Sequence, residues 1–114
     1  MHDTHNTMTI ACLFKDEPAN WGLRGDPYLW KEFQRHFATV AWPESIVHLQ
    51  EKLEQAFLDL TGHSVHKAEN FYLPQFAHGG MSSGVICTEF WRDSVIPLLM
   101  QRYLASASKN ARID

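Results

Sequence analysis

Hydrophobic positions along the chain follow two rhythms, and these divide it into a few short elements. Residues 1–7 are polar and read as a flexible tail. Met8 to Phe14 is a short apolar run of β-compatible residues, expected to form a buried strand. Lys15 to Gly25 carries Pro18, Asn20, Gly22 and Gly25 and reads as a loop. Trp21 and Leu23 within it are expected to fold back onto the core. Asp26-Pro27 then opens a helix: the carboxylate can accept an orphan N–H, and proline loses nothing at the first helical position. Leu29, Trp30, Phe33 and Phe37 recur at helical spacing, and Ala41-Trp42-Pro43 breaks the pattern.

A second helix is expected from about Pro43 to Thr61. Its apolar stripe is Ile46, Leu49, Leu53, Ala56, Phe57 and Leu60. Glu44, Glu51, Glu54 and Asp59 lie mostly off that stripe. Gly62 supplies the left-handed stop. Phe71-Tyr72-Leu73, ended by Pro74, reads as a strand, as does Val85-Ile86-Cys87 after a glycine-containing loop from Gln75 to Gly84. Thr88 is placed to cap a last helix that reaches about Ala105. Pro97 should kink this helix near Asp93, because it lacks a donor and crowds the preceding turn. The fold class expected is α/β of the α+β type, with three helices packed on a small sheet. One compact domain spans 8–105, and residues 106–114 form a second flexible tail.

Composition narrows the class. The 114 residues, 45% of them hydrophobic, suffice for one core and not for two. A net charge of −3 lacks the positive field that broad nucleic-acid binding or a polybasic membrane anchor requires. No apolar run approaches the roughly 20 residues that span a bilayer. The start has no positively charged region followed by an apolar one. Cys12 and Cys87 sit singly in apolar stretches, so both are expected to be reduced and largely buried. The reading is a cytoplasmic protein, monomer or homodimer, with no nucleic acid or membrane partner. Trp42 and Trp91, near breaks in the pattern, are the aromatics expected to be exposed.

Motifs of chemistry are sparse. Gly80-Met81-Ser82-Ser83-Gly84 spells G-x-S-x-G, but the nucleophile elbow needs a helix directly after it and a later histidine. An apolar segment follows instead, and no histidine comes after Ser82. The glycines fit a tight turn, or a nest whose inward N–H groups hold an anion, with His78 adding a donor. The pairs His2/His5 and His63/His66 lack a third ligand at a recognised spacing, so no metal and no other cofactor is expected. Arg24-Gly25-Asp26 reads as a local turn and helix cap. The carboxylates form no obvious acid–base dyad, and the reading is of a protein that is not an enzyme.

Two segments look like signatures. One is Trp21-Gly22-Leu23-Arg24-Gly25-Asp26-Pro27-Tyr28-Leu29-Trp30. The other is Phe76-Ala77-His78-Gly79-Gly80-Met81-Ser82-Ser83-Gly84, with Phe90-Trp91 shortly after. In size, mild acidity, aromatic-rich loops and missing catalytic set, the chain resembles small bacterial immunity proteins of contact-dependent inhibition and other polymorphic-toxin systems. The resemblance implies an antitoxin-like protein that binds a toxin domain, such as a basic nuclease, and neutralises it. It carries no residue-level motif, so the contact residues come from the chain itself: Glu44, Glu51, Glu54 and Asp59 on the polar side of the second helix. The alternative is a small enzyme or anion-binding domain. It would use Arg24, His78, Ser82 and Ser83, with Arg92, where loops 15–25 and 75–84 are expected to meet. A third reading is a fold with no separable site.

Overall fold

The helical spacing of Leu29, Trp30, Phe33 and Phe37 has its physical outcome in α1, Pro27–His36. All four side chains are buried, Phe37 in the turn just past the helix end. The computed structural model describes residues 8–15, 27–72 and 85–111. Helix α2 runs Ile46–Thr61. It starts later than Pro43 because Ser45 is the N-cap: its Oγ accepts from the His48 N–H at 3.2 Å, satisfying a first-turn donor. It ends where Gly62 turns left-handed at φ 79° and donates to the Leu58 carbonyl at 2.8 Å. Leu49, Leu53, Ala56 and Phe57 face inward, with Ile46 and Leu60 packed at the edges.

The run from Met8 to Phe14 is not a strand. Thr9 makes an isolated antiparallel bridge with Ala41, with Ile10 N–H on the Val40 carbonyl and Trp42 N–H on that of Met8. From Ile10 to Phe14 the chain coils into a 3-10 helix. Ile10, Leu13 and Phe14 are the residues it buries, and their i, i+3, i+4 spacing is helical, whereas a strand would bury alternate residues. Cys12 is left at the flank of this turn. It is a free, half-buried thiol, as is Cys87, so neither is enclosed as expected.

Strands β1, Asn70–Tyr72, and β2, Val85–Cys87, pair antiparallel with Phe71 opposite Ile86. Strand alternation turns Ile86 inward and leaves Val85 exposed and Cys87 half-buried. The last helix, α3, follows β2 at once and is continuous through Thr88–Phe90, a π-turn Trp91–Val95 and Ile96–Ala111. It passes Ala105, where the sequence pattern fades. Near Asp93 the disturbance takes the form of the π-turn, in which Ile96 N–H reaches back five residues to the Trp91 carbonyl. Pro97 cannot donate and crowds the turn before it, which accounts for the wide turn.

Trp91 is not exposed. It is fully buried, stacked on Phe33 at 4.8 Å between centroids and tilted against Phe57 at 5.5 Å. Its break in the periodicity is the π-turn, which turns the indole into the core. Thr88 is not the cap of α3 but its first residue, and Cys87 precedes it as N-cap. The buried Thr88 hydroxyl points back to the preceding loop. It donates to the Lys67 carbonyl at 2.8 Å and accepts the Glu69 N–H at 2.9 Å. The architecture is therefore α+β, three helices and a two-stranded antiparallel sheet around one core.

Two stability predictions follow from these contacts. Thr88→Val keeps the shape but strands a carbonyl and an N–H, and should cost about 1–3 kcal/mol in urea unfolding. Thr88→Ser keeps both bonds and should lose about 1 kcal/mol, the worth of one buried methyl group. At Gly62 a Cβ would meet nothing within 4 Å. Gly62→Ala should therefore cost only the backbone strain of the left-handed region, about 1 kcal/mol, and Gly62→Asn less.

Candidate functional site

A groove of about 440 Å³ opens beside the first turns of α2. Val40 to Glu44 form one wall; His48, Glu51 and Lys52 form the other. The wall is built by local chemistry. The Thr9–Ala41 bridge holds the chain extended into Trp42. Trp42 then stacks on Tyr103 of α3, with centroids 5.0 Å apart and rings 25° from parallel. The Tyr103 hydroxyl donates to the Pro43 carbonyl at 3.0 Å. Trp42 is half-buried, so its indole packs on the core and still contributes to the groove.

The structure brings two of the four predicted acids together. Glu44 and Glu51 both line this groove, Glu44 from the segment that leads into α2 and Glu51 from the second turn of the helix. Glu54 lies elsewhere, in the furrow between α2 and α3. Its carboxylate accepts from Gln50 Nε2 at 3.1 Å and pairs with His66 Nε2 at 3.1 Å. Asp59 sits in the last turns of α2 and accepts from Gln55 Nε2 at 2.9 Å. Glu54 is therefore part of a local network, unlike the exposed Glu44 and Glu51.

Along the outer face of α2, Val47 and Leu58 are 58% and 42% exposed. Spacings of four, three and four residues place Val47, Glu51, Glu54 and Leu58 on one stripe. Its ends are apolar and its middle is acidic. Periodicity alone missed this, because Val47 and Leu58 break the polar side of the wheel and pass as noise.

Arg24, His78, Ser82 and Ser83 lie outside the described residues, as does the expected meeting of the two loops. Arg92 is committed locally: Nε and Nη2 donate to the two Asp93 oxygens at 2.8 and 3.0 Å, with Glu89 at 4.0 Å. This fork holds the Asp93 carboxyl below its ordinary range, and the partnered guanidinium is raised in turn. His63 stacks on Phe71 at 3.9 Å between centroids, with Nδ1 2.9 Å from Glu69 Oε1. Among the described residues, no three His, Cys, Asp or Glu side chains converge as a metal site. No described helix is long and apolar enough to cross a membrane. The groove offers acceptors from Glu44 and Glu51, a cation from Lys52, an imidazole and an indole wall. That set suits recognition of a surface.

Tyr103→Phe should test how the groove is held. Loss of the bond to the buried Pro43 carbonyl should cost about 1–3 kcal/mol in thermal or urea unfolding. The Trp42 indole shifts with it, so the resonances of groove residues should move in a proton–nitrogen spectrum while those of β1 and β2 stay. Comparison with known proteins finds no matching family model, no matching curated protein and no matching solved structure.

Proposed function

We propose that the chain is a protein-binding domain of the immunity or antitoxin type, which blocks a basic toxin domain through the outer face of α2 and the adjoining groove. One observation carries the reading: exposed Glu44 and Glu51 line one groove with the Trp42 wall, and Glu51 also shares a helix face with exposed Val47 and Leu58. Interfaces draw most of their affinity from a few apolar, aromatic or arginine anchors. Surrounding charge speeds the encounter and selects the partner. Val47, Leu58 and Trp42 supply the first kind of group; Glu44, Glu51 and the partly covered Glu54 supply the second. Asp59, at the far end of α2, extends the same negative field. An acidic face suits a basic partner, such as a nuclease domain with its phosphate-binding surface.

The experiment identifies the partner by affinity capture from native cells, then measures association with the purified partner. Glu44→Lys with Glu51→Lys should slow association about tenfold or more at low salt and less at high salt. Melting should be unchanged within about 0.5 kcal/mol, since both positions are exposed. Val47→Ala with Leu58→Ala should instead speed dissociation. Co-expression of the intact chain should restore growth to cells making the partner toxin, and the double charge reversal should weaken that protection. An unchanged association rate in a folded double variant removes α2 from the contact.

A further inference from the structure

The groove beside α2 carries its charge on both walls. Glu44 stands on the wall built by the lead-in segment, and Glu51 on the wall built by the helix. Both are exposed, and neither carboxylate has a partner among the described residues. Glu54 and Asp59 differ, since Gln50, His66 and Gln55 already engage them. Lys52 brings one ammonium to the helix wall, so the lining sets two carboxylates against one ammonium, with the imidazole of His48 beside them.

The wall that carries Glu44 also carries Trp42 and the apolar Val40 and Ala41. Tyr103 stacks on the indole, and the ring is still only half-buried. What the stack leaves bare borders the groove. The Thr9–Ala41 bridge and the Tyr103 bond to Pro43 hold this wall before any partner arrives. Binding against a wall already in place costs little further ordering.

We propose that the groove receives an arginine side chain of the partner protein. The partner rests on the reading of α2 and its groove as the contact for a basic protein; the choice of arginine rests on the groove itself. A guanidinium is planar and weakly hydrated, and its five N–H donors lie along more than one edge. It therefore stacks on a ring and meets carboxylates on two walls together. A lysine ammonium is a compact, strongly hydrated point charge that gains less from the ring. The ammonium of Lys52 offsets part of the attraction, so stacking and hydrogen bonding, more than net charge, decide between cations. Val40 and Ala41 give the arginine methylenes an apolar wall. The groove volume of about 440 Å³ lies within the range of ordinary ligand pockets, roughly 300–1,000 Å³.

The test needs only the intact chain. It is titrated with N-acetyl-arginine amide and with N-acetyl-lysine amide, which carry equal charge, and followed by proton–nitrogen spectra. The arginine probe should give saturable shifts at the Trp42 indole N–H and at the Ala41, His48 and Glu51 amides. Its dissociation constant should lie about threefold or more below that of the lysine probe. Added salt should weaken both. Glu44→Gln with Glu51→Gln should raise the arginine constant about fivefold or more, and Lys52→Gln should lower it, with a melting curve to show that each variant is folded. Trp42 is left intact because its stack on Tyr103 supports the fold. No saturable shift, equal constants for the two probes, shifts spread beyond the groove, or an unchanged constant in the folded double variant would overturn the proposal. The broader reading fails separately. Partner association that ignores the Glu44 and Glu51 reversals overturns the partner as the source of the arginine, even where the groove prefers arginine. Association that depends on them, with no preference for the arginine probe, keeps the contact and removes this occupant.

Discussion

The arrangement depends on one aromatic ring. Phe33, in the middle of α1, has Phe14 of the 3-10 turn at 5.7 Å, Phe57 of α2 at 6.4 Å and Trp91 of α3 at 4.8 Å. Phe37 stands beside it at 6.1 Å. The 3-10 turn and all three helices thus meet at a single side chain. Large rings deliver much buried area for few torsions, and offset or edge-on contacts add to it. A short domain with little sheet needs that economy. Trp30 extends the cluster by meeting Phe14 edge-on at 5.0 Å.

This hub also decides what the surface can present. With the inner faces of all three helices spent on it, α2 still turns a long outer face to solvent. The groove wall and the 3-10 turn are both braced from inside, one by Tyr103 and one by Arg102. Both residues belong to α3, a single residue apart. The same stretch of helix therefore holds the groove wall and the 3-10 turn in place against the core.

Much of this was legible in the sequence, and the misses have physical causes. The inner faces of α1 and α2 follow from spacing, because amphipathic helices must bury one stripe. Gly62 was readable as a stop because the left-handed region excludes most other residues. The 3-10 turn is hard to read because a run of seven residues, all but Thr9 apolar, fits either period. Trp91 was misplaced because an extra residue in the helix shifts its phase. Glu44 and Glu51 were recognisable as exposed acids. Their union with Trp42 was not, since it depends on a bridge to Thr9 and a stack on Tyr103, more than thirty and sixty residues away along the chain. The hold of Arg102 on the Leu13 carbonyl gives no local signal at all, because it joins opposite ends of the chain.

The π-turn has a consequence for how this helix tolerates changes in length. The inward residues of α3 are Thr88, Trp91 and Val95, then Ile96, Leu99 and Tyr103. Each set has ordinary helical spacing, and the two are out of phase by one residue, which the wide turn absorbs. Elsewhere in a helix, losing one residue rotates everything beyond it by about 100°. Between Trp91 and Val95 the loss would bring the two sets into phase and leave both halves facing the core, with Pro97 still costing the turn before it one hydrogen bond. Arg92, Asp93 and Ser94, none of them buried, mark the place where the chain can drop a residue and keep its fold.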